Sequence, residues 1–180
     1  VTAATLEALA RAGGLLTYPS KGYGCQLPGI IAHVRDRDQA AADALAAFEA
    51  YVGNSSVEHL QEAFTQTFDL NPVCALEVGW QLFGEEYARG AFLVHTRQLL
   101  RDHGIDERGE LPDHLSSLLA VLARLETGQA QAFAVDALVP AVEKMVAAIE
   151  KSDSPFRPLL QGIGRMIGAC AATSAEVAHV

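Results

Sequence analysis

Seven prolines punctuate this chain at positions that a helical fold accommodates and a sheet does not. Pro19, Pro28, Pro72, Pro112, Pro140, Pro155 and Pro158 fall mostly between apolar stretches of helical spacing or at their starts. A proline in the first turn of a helix loses no hydrogen bond, whereas one in the interior breaks or kinks it. Between these points no segment shows the Val/Ile/Thr alternation of a strand, and no repeat of fixed period occurs. The punctuation therefore predicts an all-α protein, a single-domain helical bundle spanning residues 1–180.

The apolar periodicity places the elements. A first helix is expected over Thr2 to Leu16, weakened at its end by Gly13 and Gly14, then a loop over Lys21 to Pro28 and a short helix over Gly29 to Val34. Asp38 to Tyr51 reads as an alanine-rich helix. Ser55 with Glu58 has the spacing of a capping box for the next one, which carries Leu60, Phe64 and Phe68. Asn71-Pro72 reads as the start of a helix running to Gly84, and Glu85-Glu86 as the start of another that ends at Gly104. From Pro112, the residues Leu115, Leu118, Leu119, Leu122 and Leu125 form one buried stripe closed by Gly128. A kinked helix around Pro140 and a final one from Ser154-Pro155 complete the reading.

Half of the residues are hydrophobic and 19% are charged, which suits a packed core and argues against disorder. The formal charge of -9 argues against nucleic acid, which needs a basic face, and favours a cationic partner. Cys25, Cys74 and Cys170 lack disulfide or zinc spacing. No secretory signal or membrane-length apolar run is found, so the expected compartment is the cytoplasm, with no membrane partner.

Local chemistry exceeds the needs of folding in Glu110-Leu111-Pro112-Asp113-His114-Leu115. Pro112 fits a first helical turn and Asp113 puts negative charge where free amides favour it, but nothing in that logic requires His114. The histidines His33, His59, His95, His103, His114 and His179 show no hydrolytic or metal-binding spacing. Asp113 stabilising its own helix start, with His114 half-exposed, is accordingly preferred to metal ligation. In Thr67-Phe68-Asp69-Leu70, packing by Phe68 and Leu70 with a turn at Asp69 suffices as an explanation. Trp80, Leu82 and Phe83 read first as core, and the acids Asp102, Asp106, Glu107, Glu110 and Asp113, with Arg101 and Arg108 interleaved, as a solvated connection.

Four passages in order, Leu15-Leu16-Thr17-Tyr18-Pro19, Phe64 to Leu70, Gly84 to Gly90 and Glu110 to Leu115, resemble the NarJ/TorD/DmsD family of redox-enzyme maturation proteins, in its NarJ-like branch. Leu111 stands before Pro112 where the TorD-type spelling often has glutamate. The resemblance implies an all-helical molybdoenzyme assembly chaperone without catalysis. Its implied partner is the catalytic subunit of a molybdoenzyme, a nitrate reductase or relative, bound through its N-terminal segment, which often bears a twin-arginine signal or its remnant. The bis-pyranopterin molybdenum cofactor would belong to the client, and this chain would bind none. The client groove is expected to use Phe68, Asp69, Leu70, Trp80, Phe83, Glu110, Pro112, Asp113 and His114, with protonation of His114 as a possible release step. Two rivals stand beside it: a metal-dependent phosphohydrolase using Asp113, His114 and His103, and a helical adaptor with no role in cofactor insertion.

Overall fold

Short polar side chains set where several helices begin. The computed structural model describes residues 2–107 and 109–172, so His179 and Arg108 lie outside the described residues. Helix α1 (Ala3–Gly13) starts at Thr2, whose hydroxyl accepts from the Thr5 amide, and tightens into a 3-10 turn over Gly14–Leu16. Helix α2 (Leu27–Arg35) begins before its expected start, because Pro28 occupies its first turn rather than the preceding loop. Asp38 caps α3 (Gln39–Gly53) through the Ala41 amide at 3.0 Å and receives Arg165 Nε at 2.9 Å.

The cap of α4 (Val57–Phe64) is Ser56, not Ser55. Ser55 donates its hydroxyl back to the Tyr51 carbonyl at 2.8 Å, serving the end of α3, and leaves the next serine to accept from the His59 amide. After α4 a π-turn runs over Thr65–Asp69, closed by the Leu70 amide on the Thr65 carbonyl. The expected helix from Pro72 to Gly84 is two pieces, a 3-10 turn over Pro72–Cys74 and helix α5 (Val78–Phe83). Its break at residues 75–77 is filled from elsewhere in the chain.

Helix α6 (Tyr87–Asp102) ends before Gly104, which has φ 62°. Helix α7 (Leu115–Leu122) starts after Pro112 and Asp113, so neither lies in its first turn. It also stops before Gly128, which sits inside α8 (Thr127–Phe133). A π-turn over Ala134–Leu138 joins α8 to α9 (Val139–Ile149) and widens the backbone just ahead of Pro140, which has no N–H to give. Helix α10 (Arg157–Ala172) closes the description. Among the described residues there is no strand, and the fold is all-α.

Helix α10 packs on α3, α9 and α1, while α2 lies on α3 and α1 on α7. Gly162 permits the α10–α3 approach, since a Cβ there would meet Leu45 Cγ at 2.8 Å. The Leu115, Leu118, Leu119 and Leu122 stripe is wholly buried, with Leu125 half-buried. Phe48, Phe64, Phe68 and Phe156 form an aromatic cluster with centroid separations of 5.0–5.6 Å between neighbouring rings. Phe68 is therefore a core residue.

Candidate functional site

The dipeptide Asp113-His114 caps two helices at once. His114 is the N-cap of α7: its Nδ1 accepts from the Ser116 amide at 3.3 Å and pairs with the Ser116 hydroxyl at 2.7 Å. Asp113 serves the other helix. Its carbonyl accepts from the Val78 amide at 2.9 Å and its Oδ2 from the Gly79 amide at 3.0 Å, so it satisfies the first free amides of α5 from across the fold. The Leu115 amide returns to the Leu76 carbonyl at 2.9 Å, and Glu77 and His114 form an antiparallel bridge. These bonds account for the break at residues 75–77. They also correct the sequence reading twice: Asp113 stabilises α5 rather than its own helix, and His114 is buried rather than half-exposed.

Gly79 is needed at that contact. A Cβ there would lie 2.7 Å from Asp113 Oδ2 and 2.9 Å from the Phe92 ring. Burial pushes the Asp113 carboxyl above the usual carboxylate range, opposed by the Gly79 amide and the charge of Arg89. Asp113 Oδ1 and Arg89 Nε are both buried without a hydrogen-bond partner among the described residues. Arg89 also lies over the Trp80 ring, 5.3 Å from its centroid. Trp80 Nε1 donates to the Pro72 carbonyl at 3.0 Å and Gln81 Nε2 to that of Ala75 at 2.9 Å, so α5 folds the 72–75 segment back on itself. Phe83 is half-buried, with its ring 5.6 Å from Phe92.

Burial pushes the His114 imidazole below its ordinary range, opposed by the charges of Glu77 and Asp69. Its sign for stability follows directly. The unfolded chain takes up a proton below about pH 6.5 that the buried ring resists, so the contribution of His114 is full above that pH and is lost as pH falls through the folded value. Asp113 acts oppositely, favouring the fold below about pH 3.8 and fading as pH rises through its raised value. Urea midpoints should therefore fall between pH 7.5 and 5.5, and His114→Asn, which keeps a capping acceptor, should flatten that slope. An unchanged slope would show that another group titrates.

Of the nine residues singled out from the sequence, Phe68, Pro112, Asp113 and His114 are buried, while Trp80 and Phe83 are half-buried. Asp69, Leu70 and Glu110 are exposed, Leu70 at 73%. Asp69 and Leu70 stand at the end of the π-turn, with Val73 exposed just beyond. Glu110 lies elsewhere, on a cavity of about 420 Å³ that it shares with Tyr18 from the first passage. The sequence did not single out Glu77 or Gly79, hidden in an apparently continuous helix, nor Arg89 by itself. A larger groove of about 570 Å³ between α3, α9 and α10 has Val139, Val142 and Val146 among its walls and includes none of the nine. Its other walls include Ala40, Ala44, Gly164 and Gly168, residues that carry no local chemical signal.

Among the described residues no group of three or more His, Cys, Asp or Glu could hold a metal ion. Asp113 and His114, on which the phosphohydrolase reading depended, are committed to backbone amides. The family described as nitrate reductase delta subunit matches residues 35–161, the stretch that includes the π-turn, α5, α6 and the double cap. The chain belongs to that family. Its likeness to the NarJ/TorD/DmsD chaperones extends to a Bacillus subtilis (strain 168) protein named as a probable nitrate reductase molybdenum cofactor assembly chaperone, NarJ. The two are 27% identical over 148 residues, 81% of this chain and 80% of that protein. The relative is named as a chaperone and not as an enzyme. Among the described residues of this family member, no helix is long and apolar enough to cross a membrane.

Proposed function

We propose that this protein is a molybdoenzyme assembly chaperone without catalysis of its own, serving the catalytic subunit of a nitrate reductase or a close relative. The observation that carries the reading is the family match over residues 35–161 together with the chaperone name of its relative. In this reading the client presents an N-terminal segment, and the chaperone holds the subunit until its molybdenum cofactor has been inserted. The cofactor belongs to the client.

The surface that suits such a segment begins where the π-turn ends. Leu70 and Val73, 73% and 65% exposed, offer apolar contact beside the carboxylate of Asp69, with the half-buried Trp80 and Phe83 on α5 close in sequence. An amphipathic client helix with basic residues matches that chemistry, apolar burial giving affinity and charge giving register. Phe68, Pro112, Asp113 and His114 then act from beneath, by fixing the segment that carries the surface. Glu110 would meet a different part of the client.

The test is capture. Tagged protein expressed in cells starved of molybdenum should co-purify with the catalytic subunit lacking cofactor, and capture should fall when molybdenum is restored. Equal capture of the loaded enzyme would instead support an adaptor without a role in insertion, and capture of no molybdoenzyme subunit would sink both the chaperone and its client.

A further inference from the structure

Helices α6 and α10 are equally long and unequally covered. Each has 16 residues, but α10 buries seven of them and α6 only Thr96 and Leu100. The inner side of α6 turns Phe92 to Phe83 and Arg89 to Trp80. The opposite side carries Tyr87, Ala91, Val94, Gln98 and Arg101, alternately four and three positions apart, so they form one stripe along the helix. All five are exposed, Tyr87 at 96% and Val94 at 69%.

Gly90, on the edge of this stripe, has no cause within one copy of the chain. A glycine inside a helix weakens it relative to alanine. At Gly79 and Gly162 a crowding neighbour explains the residue, whereas a Cβ at Gly90 would meet nothing within 4 Å. The ends of the stripe are oppositely charged, with Glu86 at the start of α6 and Arg101 in its last turn. Both are exposed and neither forms an ion pair among the described residues, although the charge of Arg101 reaches Glu107.

We infer that the exposed face of α6 is an interface with a second copy of this chain, the two α6 helices packing antiparallel about a twofold axis at Val94. A face that is acidic at one end and basic at the other complements its own copy only when that copy is reversed. This pairing sets Tyr87 level with the partner's Arg101, and Glu86 lies on the same flank, so ring and carboxylate receive one guanidinium. Gly90 comes level with the partner's Gln98, and the missing Cβ makes room for that side chain. Parallel pairing would instead set like charges against each other at both ends. A 16-residue helix is about 24 Å long, and one such pair buries less than the roughly 1,200 Å² of a stable complex. The dimer is therefore weak, with a dissociation constant on the order of 100 µM. The inference does not depend on the chaperone reading.

The test is sedimentation equilibrium of the full chain between about 10 µM and 1 mM, at about 0.15 M salt to screen the net charge. The average mass should rise with concentration towards twice that of the monomer. Val94→Asp and Arg101→Glu, both at exposed positions and with circular dichroism unchanged, should each weaken association at least about tenfold. Adding Glu86→Arg to Arg101→Glu should recover most of that loss. With Cys25→Ser as background, Val94→Cys should form a disulfide-linked dimer on oxidation. Tyr87→Cys should not, because the two copies of position 87 lie about 21 Å apart along an antiparallel pair. A monomer at every concentration, Val94→Asp associating as wild type does, or equal crosslinking at positions 87 and 94 would each overturn the interface.

Discussion

Asp113→Ala is expected to lower stability by about 2 kcal/mol, and the loss should be felt first in α5. The substitution leaves the Gly79 amide without its acceptor, and an unmet buried donor costs about 1–3 kcal/mol. It does not remove the backbone half of the cap, because the Val78 amide still finds the carbonyl of residue 113. Relief of the buried charge partly offsets the loss, since burial already disfavours the ionised carboxyl. Asp113→Asn separates these terms. Its amide oxygen can still accept from Gly79 without carrying a charge, so its midpoint in urea should lie closer to wild type. Hydrogen exchange should show residues 78–81 opening faster in the alanine variant than in the asparagine one. With α5 frayed, Trp80 and Gln81 no longer hold the 72–75 segment, and client capture should fall in the alanine variant alone. Alanine as stable as wild type would mean that the Oδ2 contact adds nothing to the cap.

The elements whose cause is local were legible in the sequence. The leucine stripe of α7 follows from spacing, because a helix that buries one face repeats its apolar residues every three or four positions. The residue type of the α4 cap was also legible, but not the residue: either serine could serve, and the carbonyl of Tyr51 decides between them. The break before α5 could not be read locally. No glycine or proline marks residues 75–77, and the groups that fill the gap, the carbonyl of Asp113 and the amide of Leu115, lie far along the chain. The same distance misled the reading of the site. An acid next to a proline resembles a cap for the helix that follows, whereas this carboxylate reaches another helix and leaves His114 to cap its own. His114 thus has a structural reason that its neighbours in sequence do not disclose.

Phe68→Ala and Leu70→Asp, two positions apart in the same π-turn passage, should fail in opposite ways. Phe68 is 5% exposed and packs against Phe64 and Phe156 at 5.0 and 5.4 Å, so truncation opens a cavity in the aromatic cluster and should cost about 3–5 kcal/mol. In a protein of this length that corresponds to a fall in Tm of about 10 °C, measurable by calorimetry. Leu70, 73% exposed, contributes little buried area, and its change to aspartate should leave stability within about 0.5 kcal/mol. Client capture should reverse the order of severity once both proteins are assayed well below their melting temperatures. Leu70→Asp removes an apolar contact and adds charge at the proposed docking surface, so capture should drop at least about tenfold, while folded Phe68→Ala keeps that surface and should retain most of its binding. If Leu70→Asp captured the subunit as wild type does, the end of the π-turn would not be the docking surface. The client segment would then have to lie elsewhere, with the groove between α3, α9 and α10 the next surface to mutate.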